Sequence, residues 1–175
     1  MKLIVAPLHA VAGLMISRGP SHLISLASPG HVDVALPQPP LHRLDLRFND
    51  IAEPRTGLVP PSEADIGALL AFAGTWDGAH PLLIHCWAGV SRSTAAAYAV
   101  ACARTEPGRE QDWAERLRAA APTATPNPLI VALADRLLNR DGAMSRAVAA
   151  IGRGAETAWG EAFELDLPHG DEPRR

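Results

Sequence analysis

The chain is almost free of lysine. Among its 175 residues Lys2 is the only lysine, so arginine supplies nearly all of the positive charge, and the formal net charge is −3. This balance gives no general attraction to nucleic acid or to anionic membrane surfaces. No apolar run is long enough to span a bilayer. We therefore expect neither a nucleic acid nor a membrane as a partner, and the sequence leaves the oligomeric state open.

Cysteine is also scarce. Cys86 and Cys102 are the only two, which excludes a disulfide framework and fits the reducing cytoplasm. If a helix begins near Ser93, Cys102 lies roughly 13–15 Å along it. That distance is beyond disulfide reach of Cys86, so we expect Cys102 to be a small buried residue. The apolar residues 1–15 are better explained by a strand and a helix than by a signal peptide, and a cytoplasmic protein is expected.

Patterns typical of metal or nucleotide sites are missing as well. The seven histidines show no metal-ligand spacing, and two cysteines are far from a zinc pattern. The chain has no Gly-Lys-Ser or Gly-Lys-Thr sequence of the kind that binds nucleotide phosphates. No cofactor is therefore expected.

What the chain does contain is an alternation of short apolar strands and helical patterns. Strands are expected at residues 2–6, 22–27, 42–48 and 82–85, helices at 8–17, 62–78, 110–121, 129–139 and 144–151, and a short strand or helix at 32–34. This order predicts an α/β fold with a central, mainly parallel sheet flanked by helices. Residues 1–152 form one predicted domain. The tail 153–175 is polar enough to fray, although Trp159 and Phe163 are spaced to pack on the domain.

The segment 85–93, His-Cys-Trp-Ala-Gly-Val-Ser-Arg-Ser, lies between an apolar run and an alanine-rich run. This context predicts a strand, a short loop and a helix. Such a loop turns successive backbone N–H groups toward one point at the positive end of the helix, which forms a cradle for an anion. The loop residues that would supply these groups are Trp87, Ala88, Gly89, Val90 and Ser91.

Two side chains at the ends of this loop carry chemistry. The backbone dipoles and Arg92 favour the thiolate of Cys86, which is the nucleophilic form. Cys86 is predicted to attack phosphorus and form a cysteinyl-phosphate intermediate. The Arg92 guanidinium can hold two phosphate oxygens and follow them into the transition state. Trp87 is unusually large for this position, and either packing or substrate contact would explain it.

The segment resembles the signature of the cysteine-dependent protein tyrosine phosphatase superfamily at four positions: His85, Cys86, Arg92 and Ser93. It also matches the narrower dual-specificity form at three more: Ala88, Gly89 and Ser91. The resemblance implies a compact phosphatase fold with four or five strands. It also implies that the Ser93 hydroxyl stabilises the thiolate as the intermediate is hydrolysed, with helix capping as the alternative.

His85 precedes the nucleophile and points away from the substrate if the strand continues. We expect it to orient the loop through a hydrogen bond and to tune the thiolate; an ordinary buried histidine is the alternative. The late Pro126-Asn127-Pro128 also resembles the approach to the final helix of dual-specificity enzymes. Asn127 either braces the cradle or only caps the helix that follows.

A general acid must protonate the leaving oxygen. The resemblance favours Asp50, because Asn49-Asp50 resembles the segment that carries the acid in many dual-specificity phosphatases. The alternatives are Glu53, further along the same loop, and Asp45, which alternates with apolar residues and is expected to face solvent.

These features predict a phosphatase that hydrolyses phosphomonoesters through a cysteinyl-phosphate intermediate. A phosphorylated protein, carrying phosphotyrosine or phosphoserine/threonine, or a small phosphomonoester is the expected partner. Phosphoinositides or other small phosphates are an alternative, which the uncharged loop positions disfavour. A non-catalytic phosphate-binding module is a further alternative, although both Cys86 and Arg92 are present. The opening His-Cys and closing Arg-Ser favour phosphate chemistry over a sulfurtransferase.

Overall fold

One central sheet of five strands organises the protein in the computed structural model, which describes residues 1–31 and 35–168. The strands are β1 (Lys2–Pro7), β2 (His22–Ala27), β3 (His42–Arg47), β4 (Leu82–Cys86) and β5 (Phe163–Asp166). Their order across the sheet is β3-β2-β4-β1-β5. Every neighbouring pair is parallel except β1 and β5. The prediction of an α/β fold with a mainly parallel sheet is confirmed.

Helices cover both faces of the sheet. They are α1 (Val11–Arg18), α2 (Glu63–Gly74), α3 (Arg92–Ala103), α4 (Glu110–Ala120), α5 (Pro128–Leu137) and α6 (Ala143–Ile151), and a 3-10 turn (Leu8–Ala10) precedes α1. Val11 and Met15 of α1 pack on one face, and the apolar residues of the other helices pack on the opposite face. Because both faces are covered, β1, β2 and β4 read as nearly continuous buried runs, whereas the edge strand β3 alternates apolar and polar residues.

The starts of α2 and α5 follow local sequence signals. Ser62 accepts a hydrogen bond from the Asp65 backbone N–H at 3.2 Å, and the Asp65 carboxylate accepts one from the Ser62 N–H at 2.9 Å. This reciprocal pair is the predicted capping box. Asn127 caps α5, and Pro128 occupies its first turn, as predicted.

The end of α2 differs from the expectation. The helix stops at Gly74, whereas the apolar pattern predicted an end near residue 78. The reason is Trp76, which is only 1% exposed because the chain turns it into the core. Its indole N–H donates to the His80 carbonyl at 2.7 Å. The strand or helix predicted at 32–34 lies outside the described residues.

The C-terminal segment contains a strand that the pattern analysis did not predict. β5 pairs antiparallel with β1, with Val5 opposite Phe163 and Lys2 opposite Asp166. Leu165 and Leu167 are buried in the larger core, on the face of the sheet that is covered by α2 to α6. The segment therefore completes one edge of the sheet. None of the helices in the described part of the chain is long and apolar enough to cross a membrane.

α3 is the most buried helix, with every residue from Arg92 to Cys102 buried. Its alanines let its backbone lie close to the sheet, and this close packing brings its N-terminus directly onto the end of β4. Cys102 lies in this helix, and burial raises the pKa of its thiol to about 12. Both cysteines are free thiols, so Cys102 is a small buried residue, as predicted.

Candidate active site

The loop 87–91 joins the end of β4 to the start of α3. The four parallel strands all end at this same edge of the sheet, and β5 begins there because it runs in the opposite direction. In open α/β sheets, ligands bind at the carboxyl ends of the strands, where the strand order reverses. The predicted strand, loop and helix are therefore present, and they lie at the edge where a ligand is expected.

The loop's carbonyl groups are held outward by the surrounding chain. Four of them accept hydrogen bonds from backbone N–H groups outside the loop: Trp87 from Leu8 at 3.0 Å, Ala88 from Gly160 at 2.8 Å, Val90 from Thr125 at 2.9 Å, and Ser91 from Asn127 at 3.4 Å. The Thr94 hydroxyl adds further bonds to the Val90 and Ser91 carbonyls.

The loop's N–H groups consequently point inward. In a trans peptide the C=O and the following N–H point in opposite directions, and no cis peptide occurs in the described residues. The four outward carbonyls thus direct inward the N–H groups of Ala88, Gly89, Ser91 and Arg92. The Gly89 N–H illustrates this direction, because it donates to Cys86 Sγ at 3.3 Å. Converging N–H groups at a helix N-terminus form an anion cradle.

Gly89 is required by this geometry for two reasons. Its φ is +71°, in the left-handed region that side chains disfavour. A Cβ built on it would also lie 2.6 Å from the Pro7 backbone nitrogen, well inside contact distance. The turn therefore depends on the absence of a side chain, because the loop passes directly over the end of β1.

Cys86 ends β4 and is only 2% exposed. Its Sγ lies 3.1 Å from the Ser93 hydroxyl, in the first turn of α3. Together with the Gly89 N–H, this places two polar groups against the sulfur. The contacts suit a thiolate, because each group can direct a hydrogen toward a negative sulfur.

Arg92 is 4% exposed, and its guanidinium is held by neighbouring loops. Its Nη1 donates to the Phe48 carbonyl at 3.0 Å and to the Ser28 hydroxyl at 3.3 Å. Its buried Nε has no hydrogen-bond partner within the described residues and lies 3.9 Å from Asp50 Oδ2. A buried guanidinium with an unused donor suits an anionic ligand, since the fork geometry matches two phosphate oxygens.

Asp50 lies just beyond β3, between the cradle and α5. Its Oδ1 accepts a hydrogen bond from the Ser91 hydroxyl at 2.7 Å and another from the Asn127 amide at 2.7 Å. Asn127 therefore caps α5 and also contacts the carboxylate, so capping is not its only contact. Oδ1 is thus held by two donors, and Oδ2 faces the Arg92 guanidinium, with Nε at 3.9 Å.

The loop that carries Asp50 is closed at its base. The Asn49 N–H donates to the Val59 carbonyl at 2.7 Å, and the Val59 N–H donates to the Asn49 side chain at 2.8 Å. Asp50 lies next to this closure rather than at the loop's tip. Its position is thus fixed on three sides by Asn49, Ser91 and Asn127.

The two competing carboxylates lie elsewhere. Asp45 lies in β3 and pairs with Arg43 at 2.8 Å. Glu53 is exposed in the loop, and within the described residues no hydrogen bond or ion pair joins it to the cradle. The structure therefore brings Asp50, and neither alternative, next to the cradle.

His85 faces away from the cradle, as expected for the next residue of a strand. It hydrogen-bonds through Nε2 to the Ser25 hydroxyl of β2 at 2.8 Å. Burial lowers the pKa of this imidazole to about 4, so the ring is neutral at physiological pH. Its contact ties β4 to β2 directly behind Cys86. Ser25 and Ser28 had not been singled out in the sequence, because only the fold brings β2 beside these residues.

Trp87 is the exposed member of the loop. It is 46% exposed, and its ring stacks on His31 with a centroid distance of 5.1 Å and an interplanar angle of 11°. Trp159 from the C-terminal segment contacts it at 5.5 Å. Within the described residues, no group of three or more His, Cys, Asp or Glu side chains is arranged to hold a metal ion.

Comparison with known proteins identifies the fold. No protein-family profile and no curated sequence matches the chain. Several solved structures do, among them the following three phosphatases. The crystal structure of DUSP15 has a TM-score of 0.57 and 22% identity over 85% of this chain and 90% of that one. A mouse putative dual specificity phosphatase complexed with zinc tungstate has a TM-score of 0.58 and 18% identity, over 83% and 86%.

The third is the Yvh1 phosphatase domain from Chaetomium thermophilum, with a TM-score of 0.54 and 17% identity over 81% of this chain and 93% of that one. The chain therefore has the fold of the dual-specificity phosphatases. The resemblance drawn from the segment 85–93 is confirmed at the level of the fold.

Proposed function

We propose that the protein is a cysteine-dependent phosphatase that hydrolyses phosphomonoesters, with phosphotyrosine or phosphoserine/threonine in proteins as its substrates. The observation that carries this proposal is the arrangement around Cys86 Sγ. The sulfur lies 3.1 Å from the Ser93 hydroxyl and 3.3 Å from the Gly89 N–H, at the floor of a loop in which four of the five carbonyls accept hydrogen bonds from outside the loop. A nucleophile, an anion cradle and a buried guanidinium meet at one point.

In the first step the Cys86 thiolate attacks phosphorus, an S–P bond forms and the ester P–O bond breaks. The inward N–H groups and Arg92 stabilise the equatorial oxygens as negative charge shifts among them. Asp50 donates the proton on Oδ2 to the leaving oxygen, so the alcohol or phenol departs neutral.

In the second step a water molecule attacks the cysteinyl phosphate. Asp50, now a carboxylate, takes a proton from that water, the S–P bond breaks, and inorganic phosphate is released. The Ser93 hydroxyl donates a hydrogen bond to the departing thiolate, which makes the sulfur a better leaving group. No electron transfer is needed, and the enzyme returns to its initial protonation state.

The test is phosphate release from para-nitrophenyl phosphate by the reduced protein and two cysteine variants. We expect turnover that falls to background in Cys86→Ser. The matched control is Cys102→Ala, which removes the other buried thiol, and we expect it to retain turnover. Activity that survived in Cys86→Ser would contradict the mechanism. An inactive but folded wild type that binds phosphopeptides would instead favour a phosphate-binding module.

The substrate class is tested on the same protein with phosphotyrosyl and phosphoseryl peptides beside a soluble phosphoinositide. We expect the peptides to be hydrolysed with the higher kcat/KM, because the loop's variable side chains carry no positive charge to hold additional phosphates. Preference for the phosphoinositide would move the assignment to small or lipid phosphates.

A further inference from the structure

A row of four aromatic rings lies beside the cradle, at the carboxyl edge of the sheet. In order along the row they are His31, Trp87, Trp159 and His9. Neighbouring ring centroids are 5.1–5.5 Å apart. The two indoles in the middle are 46% and 43% exposed. Contiguous exposed aromatic surface of this kind is uncommon without a binding role.

The position of Trp159 is fixed by the backbone of the cradle itself. The next residue, Gly160, donates its N–H to the Ala88 carbonyl at 2.8 Å. A Cβ on Gly160 would lie 3.1 Å from the Gly89 carbonyl oxygen, so the segment lies directly against the loop. Thr157 also hydrogen-bonds to both the N–H and the carbonyl of Trp159. The backbone that carries the indole is thus held beside the loop, and the indole contacts Trp87.

A polar groove of about 690 Å³ adjoins the other half of the loop, at Val90 and Ser91. It also reaches Asp50 and carries charges of both signs in Arg153 and Glu156. The segment 155–158, which lines this groove together with Arg153, continues directly to Trp159. The cradle therefore lies between a polar groove on one side and the aromatic row on the other.

Resting on the proposed function, we infer that the substrate is a phosphorylated polypeptide segment with a large apolar side chain beside the phosphorylated residue. That side chain packs on Trp87 and Trp159, while the chain on the other side of the phosphate lies in the polar groove. Trp159 is thereby a specificity-determining residue supplied by the C-terminal segment.

Four arguments favour a polypeptide over other phosphate esters. Surface on both sides of the cradle suits a chain that passes through the site, whereas a compact ester would contact one side only. The groove carries charges of both signs, which does not suit a polyanion such as a nucleic acid. A lipid would place apolar tails on the aromatic side and leave the polar groove unused. Half-exposed indoles are typical of surfaces that bind protein side chains.

The experiment compares phosphotyrosyl peptides that are identical except for one neighbouring residue, which is phenylalanine or alanine, at each adjacent position in turn. The measurement is the ratio of kcat/KM for the two peptides, which cancels any general change in the cradle. We expect the wild type to prefer phenylalanine by roughly five- to tenfold at one position, the effect of packing one ring on an aromatic surface.

In Trp159→Ala the ratio is expected to fall close to one. The matched control is Ile16→Ala, which removes another exposed apolar side chain, on α1, and should keep the wild-type ratio. A wild type without preference at any position, or a preference that persists in Trp159→Ala, would overturn the inference.

Binding separates this inference from the proposed chemistry. The same labelled peptides are bound to Cys86→Ser and to Cys86→Ser with Trp159→Ala, and fluorescence anisotropy gives each Kd. A phenylalanine preference that requires Trp159 would support the inference even if the wild type showed no turnover. Displacement of the peptide by phosphoinositide micelles or an oligonucleotide at lower concentration than by unlabelled phenylalanine peptide would assign the row to another ligand and contradict it.

Discussion

Gly89 shows how much of the cradle depends on one residue. Its φ of +71° and the 2.6 Å approach of a Cβ to the Pro7 nitrogen mean that Gly89→Ala must displace the loop or β1. We expect the substitution to lower the free energy of unfolding by about 1–3 kcal/mol and to reduce phosphatase turnover more than stability alone explains. Thermal unfolding and para-nitrophenyl phosphate turnover measure the two effects.

Gly13 offers the matched control. It lies in α1 with φ outside the left-handed region, and a Cβ there would meet no atom within 4 Å. We expect Gly13→Ala to raise the free energy of unfolding by about 0.5–1 kcal/mol and to leave turnover unchanged. Equal behaviour of the two alanine variants would contradict the role given to Gly89.

His85 predicts a pH dependence of stability. Burial lowers the pKa of this imidazole from 6.5 to about 4, so the unfolded chain binds a proton more readily than the folded protein between these values. The contribution of His85 to stability is therefore complete above pH 6.5 and is lost progressively as the pH falls toward 4. His85→Gln keeps a donor near Ser25 but does not titrate.

Urea unfolding at about pH 7 and about pH 5 tests this on both proteins. We expect the wild type to lose about 1–2 kcal/mol more than His85→Gln over this range, given roughly 1.4 kcal/mol for each pKa unit. Parallel losses in the two proteins would show that His85 is not the group whose pKa is lowered.

At the scale of elements, Asn127 links the start of α5 to the loop that carries Asp50. Asn127→Ser keeps the helix cap and removes the contact with Asp50, since serine also caps helices well but is too short to reach Asp50. We expect turnover of a phosphoserine peptide to fall by about ten- to a hundredfold, because Asp50, the proposed general acid, is no longer held in place. Turnover of para-nitrophenyl phosphate should fall much less, since its leaving group needs little protonation.

The measurement is the ratio of kcat values for the two substrates, together with thermal unfolding. Asp50→Asn is the reference, and we expect it to change the ratio in the same direction and further. If the melting temperature of Asn127→Ser fell while the ratio stayed unchanged, Asn127 would only cap α5 and would not position Asp50.

Elements with local signals could be predicted from the sequence, and those formed by distant contacts could not. The capping box of α2, the Asn-Pro start of α5 and the loop 87–91 between a strand and a helix each depend on neighbouring residues. The hydrogen bond from Asn127 to Asp50 joins residues 77 positions apart. The sequence alone therefore could not decide whether Asn127 does more than cap the helix. β5 was missed because it has only four residues, and its Glu164 and Asp166 resemble those of a solvated tail.

At the scale of the whole molecule, the parallel arrangement of the strands brings the residues of the candidate site together at one edge of the sheet. Asp50 follows β3, Ser28 follows β2, and Cys86 ends β4, so three separate strands deliver their groups to one edge. β1 contributes differently, because the Leu8 N–H and the Pro7 backbone fix the shape of the loop rather than contact a ligand. The sheet thus acts as one rigid support for a site whose residues are far apart in sequence.

The C-terminal segment gives the last prediction, which concerns this support. Leu165 and Leu167 are buried, and Gly160 holds the Ala88 carbonyl outward. Sequence patterns divided the chain at residue 152, so a chain ending there tests that division. We expect it to be destabilised by several kcal/mol, at about 1.5–3 kcal/mol for each buried leucine, and to lose turnover because the cradle loses a support.

A chain ending at residue 168 keeps every contact described and serves as the control. If the chain ending at 152 unfolded at the control's temperature with full turnover, β5 would lie outside the cooperative unit, and the shape of the cradle would have to come from Leu8, Thr125 and Asn127 alone.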